Sequence, residues 1–446
     1  MKRLKKLLFW SHLILGLAGG LVIAVLAFTG AALAFEPQIR DVTERHLRFV
    51  PVPTAGALRL PPSALIGRAE QSAAGKKSTS ITLESAPNSP AVVQLGRGHT
   101  VYLDAYSGAV LGQIASRGFF GLMLDVHCRL ASGPVGEVIV GAANLSFSLL
   151  CLTGLYLWWP RTVRALRTVA WPRFSFRGEA LHWNLHNVIG VWALPVLVAV
   201  SLTGLVFSYT WAGDLIYTLT GTTKPVRETA GVARPAGVQP MSLDTAWQMA
   251  EGQAHGWHRI SHVVPPEPKA PSADTAAPWV FSILEADAPH RTARARLVID
   301  PYAAQVVSWE PFASWNLGRQ IRSFVLPVHM GYVFGLPGQI VVFVACLGAL
   351  VLVATGFTLS WKRLMAWRTC RGSVRAHRPV PVGIPLPVAP ATAAQLPVRV
   401  AASAQAVGSE NHTHAGERHG REPLRATPLV RATPVRSTPA SPSCPP

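Results

Sequence analysis

Charged residues are scarce in this chain, and its longest apolar stretches contain none. Asp, Glu, Lys and Arg make up 14% of the 446 residues, whereas hydrophobic residues make up 49%. Four uncharged stretches reach the roughly 20 residues that a helical membrane span needs. They are Leu13–Phe35, Val138–Trp159, Val188–Trp211 and Ile340–Trp361. The sequence therefore predicts a helical membrane protein with four spans, for which the lipid bilayer is the first partner.

Cysteine is also rare, and the motifs of several enzyme classes are missing. The five cysteines form no CxxC pair, which argues against a disulfide framework and a zinc ribbon. The chain has no HExxH of a zinc peptidase, no GxSxG of a hydrolase and no Walker sequence. No GxGxxG follows a strand and opens a helix, so NAD or FAD would not bind in the usual way. If the protein carries out redox chemistry, its electron donor would have to be a lipid quinol or a separate reductase.

Positive charge is concentrated in three segments that a four-span topology places on one side of the membrane. Residues 1–11, 160–178 and 362–446 carry almost the whole net charge of +19. The positive-inside rule assigns that side to the cytoplasm. We therefore expect a multi-pass membrane protein with both termini in the cytoplasm. This distribution explains the charge without a nucleic-acid partner.

The spans divide the chain into eight predicted segments, two of which are external modules. The order is a cytoplasmic N-terminus with the first span (1–35), periplasmic module 1 (36–122), a juxtamembrane segment with the second span (123–160), a basic cytoplasmic loop (161–181), the third span (182–211), periplasmic module 2 (212–325), a juxtamembrane segment with the fourth span (326–361), and a disordered basic cytoplasmic tail (362–446).

Each external module is predicted to contain one helix and a small antiparallel sheet. Module 1 has a helical stretch at Ser63–Gln71, and module 2 has one at Thr245–Ala254 with Ser242 as a plausible N-cap. Strands with alternating patterns follow each helix. They are Ser80–Glu84, Ala91–Leu95 and Thr100–Leu103 in module 1, and Ile260–Val264 and Trp279–Glu285 in module 2. Asp104 and Asp300 are predicted to mark turns between strands.

A Thr-Gly pair ends each apolar stretch, and one histidine precedes each pair at a repeated distance. The pairs are Thr29-Gly30, Thr153-Gly154, Thr203-Gly204 and Thr355-Gly356, and the histidines are His12, His127, His186 and His329. Their separations are 17, 26, 17 and 26 positions in the order of the pairs. The repetition predicts that the four spans are a duplicated two-helix unit.

The topology places two of these histidines near each membrane face. His12 and His186 lie at the inner mouths of the first and third spans, so they could meet there. His127 and His329 lie just before a Gly/Pro break at the outer mouths of the second and fourth spans. Neutral imidazole is a good ligand for iron, copper or zinc. Histidine pairs at opposite ends of a bundle could hold two metal centres and so carry electrons across the membrane, although a single histidine at a helix end is commonly structural.

The motifs together resemble the PepSY-associated transmembrane family, also called iron-regulated or iron-uptake membrane proteins. The resemblance covers about residues 5–365. The matching motifs are Phe9-Trp10-Ser11-His12, Thr153-Gly154 through Pro160, Leu181-His182 with His186, and Val328-His329-Met330-Gly331.

The resemblance implies a location in the bacterial inner membrane, PepSY-like external modules, and an activity similar to that of ferric-siderophore reductases, which carry two b-type hemes. His12, His127, His186 and His329 are then the candidate axial ligands of heme b, with no other metal site. The implied substrate is a ferric chelate reduced on the periplasmic side.

Two further residues are secondary candidates for the same site. His182 lies four positions before His186 on one helix face, so it is an alternative ligand or a headgroup contact. Asp125 is two positions before His127, where it could orient the imidazole or cap a helix. The Thr-Gly pairs are interpreted as packing elements. A non-enzymatic regulator or scaffold and a metal-ion transporter remain alternative functions.

Overall fold

Four long helices match the predicted spans. The computed structural model describes residues 2–376 apart from 53–55, 74–75, 97, 115–117, 161, 163–168, 226–230, 255 and 265–274. Four helices are long and apolar enough to cross a membrane. In chain order the helices are α1 (Lys2–Leu33, the first span), α2 (Glu36–Thr43), α3 (Arg45–Arg48), α4 (Pro62–Ser72), α5 (Gly118–Arg129), α6 (Gly133–Trp158, the second span), α7 (Gly178–Ser208, the third span), α8 (Thr210–Leu219), α9 (Leu243–Gln253), α10 (Leu317–His329) and α11 (Gly335–Ala376, the fourth span).

The four spans pack around a core of small and medium side chains. One buried cluster takes residues from all four: Ala27, Cys151, Leu197, Ala345 and Ala349. Small residues let membrane helices approach closely. At Gly20 an added Cβ would lie 2.7 Å from the ring of Phe357, so α1 and α11 touch there. Large apolar side chains face outward, including Leu21, Leu152 and Val344, as expected for helices surrounded by lipid.

Two short helices, α5 and α10, precede the second and fourth spans and carry His127 and His329 near their C-terminal ends. Left-handed backbone separates each short helix from its span. Leu130, Ala131 and Gly133 have φ of 50°, 51° and 61° before α6, and Gly331 and Gly335 have φ of 74° and 60° before α11. A left-handed residue cannot continue a right-handed helix, so the chain turns at each point. The sequence predicted these breaks but not the helices before them.

The turns require glycine for a second reason, which is close contact between the two helices at each corner. A Cβ on Gly136 would overlap the carbonyl of Arg129, and one on Gly338 would overlap the carbonyl of Gly331. Gly136 and Gly338 each lie nine positions after a candidate histidine. The repeated spacing therefore has a steric cause at both corners.

Eight of the ten described strands form one antiparallel sheet outside the bundle. The strands are β1 (Ser80–Glu84), β2 (Ala91–Gln94), β3 (Thr100–Leu103), β4 (Val110–Ile114), β5 (Val232–Ala233), β6 (Trp257–Val263), β7 (Thr275–Ala276), β8 (Trp279–Glu285), β9 (Ala295–Asp300) and β10 (Gln305–Glu310). The order in the large sheet is β10-β9-β8-β6-β1-β2-β3-β4, and β5 pairs with β7 separately.

The two predicted modules are thus joined edge to edge through β1 and β6. Their register runs from Ser80 opposite Val263 to Glu84 opposite Arg259, and the Thr82 and Ser261 hydroxyls are 2.9 Å apart. Both module helices, α4 and α9, pack on one shared core that includes Leu65, Trp247 and Phe281. We call this joined structure the sheet domain.

Local predictions inside the sheet domain agree closely with the structure. Strands β1, β3 and β8 have the predicted bounds. Ser242 Oγ accepts a hydrogen bond from Thr245 N at 3.1 Å and so caps α9. Asp104 and Asp300 each accept from the amide two residues later at 2.8 Å, which forms the predicted turns.

The helix of the fourth span extends beyond its predicted end. We expected this span to end at residue 361 and the disordered tail to begin at 362, but α11 continues to Ala376. Residues such as Leu364, Met365 and Ala366 favour a helix, and no proline interrupts them. The rest of the predicted tail, 377–446, lies outside the described residues.

Candidate functional site

The four candidate histidines form two pairs, one at each end of the bundle. At the end where the chain enters α1, the rings of His12 and His186 have centroids 6.5 Å apart and planes at 85°. At the end beside the sheet domain, the rings of His127 and His329 have centroids 6.2 Å apart and planes at 69°. We call these the termini-side pair and the module-side pair. The pairings that the sequence suggested are therefore brought together.

Each histidine is held by the threonine of a Thr-Gly pair on a neighbouring span. The four Nδ1–Oγ1 distances are all 2.9 Å. Thr153 on the second span bonds to His12 on the first, and Thr29 on the first span bonds to His127 just before the second. The last two spans repeat this arrangement: Thr355 bonds to His186, and Thr203 bonds to His329. The interpretation of Thr-Gly as packing alone missed this role.

The threonine hydroxyls also determine which ring nitrogen carries the hydrogen. A hydroxyl has one hydrogen to donate. Each hydroxyl lies 2.7–2.8 Å from the carbonyl four residues earlier on its own helix, namely Val25, Leu149, Ala199 or Val351. Because that hydrogen is committed to the helix, the hydroxyl accepts from the imidazole, and Nδ1 must carry the ring hydrogen. At His329 a second acceptor, the Val200 carbonyl at 3.1 Å from Nδ1, requires the same assignment.

This tautomer leaves the lone pair of each histidine on Nε2, the atom that would coordinate a metal. Histidines that bind metals usually donate their other ring N–H to a neighbouring acceptor, which fixes the ring. On the short helices outside the spans, burial lowers the pKa of His127 and lowers the pKa of His329 to about 4. Both imidazoles are therefore neutral near pH 7, the form that binds metal.

The glycine of each pair makes room for an imidazole in three cases out of four. A Cβ on Gly30, Gly154 or Gly356 would lie 3.4, 3.3 or 3.5 Å from Cε1 of His127, His12 or His186. At Gly204 the close neighbour is the side-chain amide of Asn144, at 2.8 Å. Each threonine therefore bonds to Nδ1 of a histidine, and in three of the four pairs the glycine leaves space for the imidazole ring.

The ring separations fit two imidazoles on one iron atom. A metal–imidazole bond is about 2 Å long, and the ring centre lies ~1 Å behind its nitrogen, so two opposed rings would have centroids about 6 Å apart. The observed values are 6.2 and 6.5 Å. Among the described residues no group of three or more His, Cys, Asp or Glu could hold a metal ion. Heme iron needs only one or two axial ligands from the protein, so each pair is a sufficient set for it.

The two pairs lie at well-separated depths of the bundle. His12 and Thr29 are both on α1, and Thr29 contacts the module-side pair. The 17 positions between them correspond to roughly 25 Å of helix at 1.5 Å per residue. This is close to the thickness of the hydrocarbon layer, about 30 Å.

The two secondary candidates lie on the same helices as members of the pairs, and a role for either stays a prediction. His182 lies one turn before His186 and makes no hydrogen bond within the described residues. Asp125 lies 3.5 Å from Arg129 in an ion pair, and the Nδ1 bond of His127 is made by Thr29.

The fold and site together define a four-span membrane protein with a histidine pair at each end of its bundle and one joined sheet domain. The family model of the PepSY-associated TM region matches residues 9–363. The chain belongs to this family, as the resemblance predicted.

A curated relative is an uncharacterized protein of Pseudomonas aeruginosa, PA4219, which is 37% identical over 95 residues. The match spans 21% of this chain and 23% of the relative. The chain therefore aligns with less than a quarter of that protein's length, and its printed name gives no activity.

Proposed function

We propose that this chain is a heme-bearing electron-transfer protein that reduces ferric iron in a siderophore or similar chelate on the side of the sheet domain. The observation that carries the proposal is the set of four His–Thr hydrogen bonds. They leave a coordinating Nε2 on both members of each pair.

In this proposal His12 and His186 hold one heme b, and His127 and His329 hold the other. Heme b supplies one-electron chemistry when it is bound. The threonines keep the tautomer that coordinates iron, and the glycines let neighbouring helices approach the imidazoles. The apolar spans exclude water from the region between the two pairs. The two-helix unit with its reciprocal His–Thr bonds would be present twice, so that each membrane face receives one histidine from each copy.

The direction of transfer follows from charge and topology. The basic segments favour a cytoplasmic location for the termini, which places the sheet domain in the periplasm. A lipid quinol would be oxidised to quinone, releasing two electrons and two protons. The two electrons would reduce two ferric ions to ferrous ions. Ferrous iron is held less tightly by such chelates, so reduction would release the metal.

The proposal is tested by the difference spectrum of purified protein, reduced minus oxidised. We expect a b-type heme spectrum that loses about half of its amplitude in His186→Ala. The matched control is His182→Ala, which removes a histidine one turn away and should leave the spectrum unchanged. Wild-type protein without heme, when it is expressed with adequate heme supply, would rule the proposal out.

One structural feature favours the alternative of a non-enzymatic regulator. The large sheet ends in β4 and β10, which each pair with one neighbour within the described residues. An edge strand can bind an extended peptide of an envelope protein. This alternative predicts that replacing all four histidines leaves the cellular phenotype intact, whereas changing an edge strand removes it. Loss of phenotype in the histidine variants alone would favour the reductase.

A further inference from the structure

A small cavity lies at the module-side end of the third span, where α7 meets α8. Its volume is about 240 Å³, and its walls include Phe207, Tyr209, Tyr217, Lys224 and Arg322. The sequence does not predict this cavity, because Arg322 comes from α10, more than 100 positions after Phe207. The cavity therefore combines aromatic rings, hydroxyls, two cationic side chains and one carboxylate, that of Asp214, which is paired with Lys224.

Arg322 differs from the cations around it because it lacks a carboxylate partner in the described part of the chain. Lys224 lies 2.9 Å from Asp214. Arg319, one turn earlier on α10, lies 2.8 Å from Glu310. The guanidinium of Arg322 instead lies over the ring of Phe207, 5.7 Å from its centroid. It is partly buried, and its five N–H donors are suited to a planar anionic group.

Phe207 connects this cavity to the module-side histidine pair. Its ring meets the His329 ring edge to face, with centroids 5.5 Å apart and planes at 86°. Arg322 and His329, two turns apart on α10, thus both contact the ring of Phe207. A ligand group bound by Arg322 would be one aromatic ring away from a proposed heme ligand.

We propose that the cavity binds a carboxylate group, held by Arg322 with support from the cavity hydroxyls. Arginine and carboxylate form paired, charge-assisted hydrogen bonds. The volume is below the roughly 300–1,000 Å³ of sites that enclose a whole drug-sized ligand, so the cavity would take one arm of a larger molecule. Two sources have this chemistry, a carboxylate arm of the iron chelate or a propionate of the module-side heme. Only the choice of source rests on the proposed function.

The test compares Arg322→Gln with Arg319→Gln in the purified full-length protein. The control removes the same charge from the same helix outside the cavity. Binding of citrate and of ferric citrate is measured by calorimetry, and the midpoint potential of each heme is measured by redox titration. A chelate arm predicts that Arg322→Gln alone weakens citrate and ferric citrate binding by about tenfold or more, as expected for lost charge-assisted bonds.

A heme propionate predicts a different result. Citrate binding is then the same in both variants, and the potential of the module-side heme falls in Arg322→Gln only, because a nearby positive charge is lost. Equal behaviour of the two variants in both measurements would overturn the inference. A wild-type protein without heme would reject the proposed function, and citrate binding alone would then decide whether the cavity binds a carboxylate.

Discussion

The two ends of the bundle hold their histidines with the same hydrogen bond but present them from different elements. On the termini side His12 and His186 lie within the spans themselves, so the membrane helices fix their depth. On the module side His127 and His329 lie on the short helices α5 and α10. Within the described residues, hydrogen bonds and an ion pair connect the sheet domain to the module-side helix α10.

The connection to the sheet domain is visible at α10. Thr292, in the loop between β8 and β9, donates to the Ser323 carbonyl at 2.7 Å, and His290 Nε2 lies 3.1 Å from the Ser323 hydroxyl. Arg319 forms its ion pair with Glu310 on β10. A ligand that moves the sheet domain would therefore act on the helix that ends at His329. The termini-side pair has no such attachment among the described residues.

The largest predicted effect separates the two ends by removing one ligand from each. In membrane vesicles supplied with quinol, both His12→Ala and His329→Ala should lose reduction of ferric chelate. Reduction of the remaining heme should differ between the variants. His329→Ala keeps the termini-side heme, which quinol reduces, whereas His12→Ala keeps the module-side heme, which quinol does not reduce. Stopped-flow spectra would measure this difference. Identical heme reduction in the two variants would contradict separate roles for the two ends.

A smaller effect is expected when a threonine hydroxyl is replaced by a methyl group. Thr153→Val removes the threonine acceptor at Nδ1 of His12 on the termini side, and Thr203→Val removes one of the two acceptors at Nδ1 of His329 on the module side, where the Val200 carbonyl remains. Loss of such an outer hydrogen bond typically weakens metal binding roughly 10- to 100-fold. Heme loss to apomyoglobin would measure it for each end separately. Thr358→Val is the control, since the Thr358 hydroxyl donates to the Ala354 carbonyl of its own helix and bonds to no histidine among the described residues.

A third prediction compares Gly154 with Gly204, the member of the four Thr-Gly pairs whose added Cβ would not meet a histidine. Gly154→Ala should push the His12 ring by a few tenths of an ångström, because a Cβ there lies 3.3 Å from Cε1. We expect a broadened spectrum of the termini-side heme. Gly204→Ala meets the Asn144 amide at 2.8 Å, so it should lower the stability of the bundle with little spectral change. A spectral change in Gly204→Ala equal to that in Gly154→Ala would show that the glycines do not act by leaving space for the histidine rings.

The smallest predicted effect concerns pH and belongs to the sheet domain alone. Burial lowers the pKa of His262 on β6, where Nδ1 lies 3.0 Å from the Val280 carbonyl. The folded state therefore binds a proton at this ring only at a lower pH than the unfolded chain, whose ordinary pKa is about 6.5. Stability is therefore complete above that pH and is lost as the pH falls, by at most about 1.4 kcal/mol per pH unit.

Amide hydrogen exchange of β6 and β8, corrected for the intrinsic effect of pH, would measure this loss. His262→Gln keeps a donor for the Val280 carbonyl but cannot titrate, so its protection should be flat between pH 7 and pH 5. His258→Gln, on the same strand and exposed, should behave as wild type. A flat wild-type response would show that His262 does not control this region.

The sequence predicted those features that depend on local patterns. Uncharged length gave the spans, alternation gave the bounds of β1, β3 and β8, and the repeated spacing placed two histidines at each end. The hydrogen bond between Thr29 and His127 could not be predicted, because it depends on the rotation of neighbouring helices about their axes. The joining of β1 to β6 was also missed, since nothing in either strand identifies an edge partner about 180 positions away. The spacing of Gly136 and Gly338 from the histidines indicated the turns before the second and fourth spans. The reason for these glycines, close contact with a backbone carbonyl, is visible only in the structure.

The central claim is that each end of the bundle holds one heme between two histidines. The most direct measurement is the heme-to-chain ratio of purified wild-type protein, His186→Ala, His329→Ala and the double variant. The account predicts ratios of two, one, one and zero, with different midpoint potentials for the hemes left in the two single variants. A ratio that is unchanged by either substitution, or a wild-type ratio of zero, would contradict it.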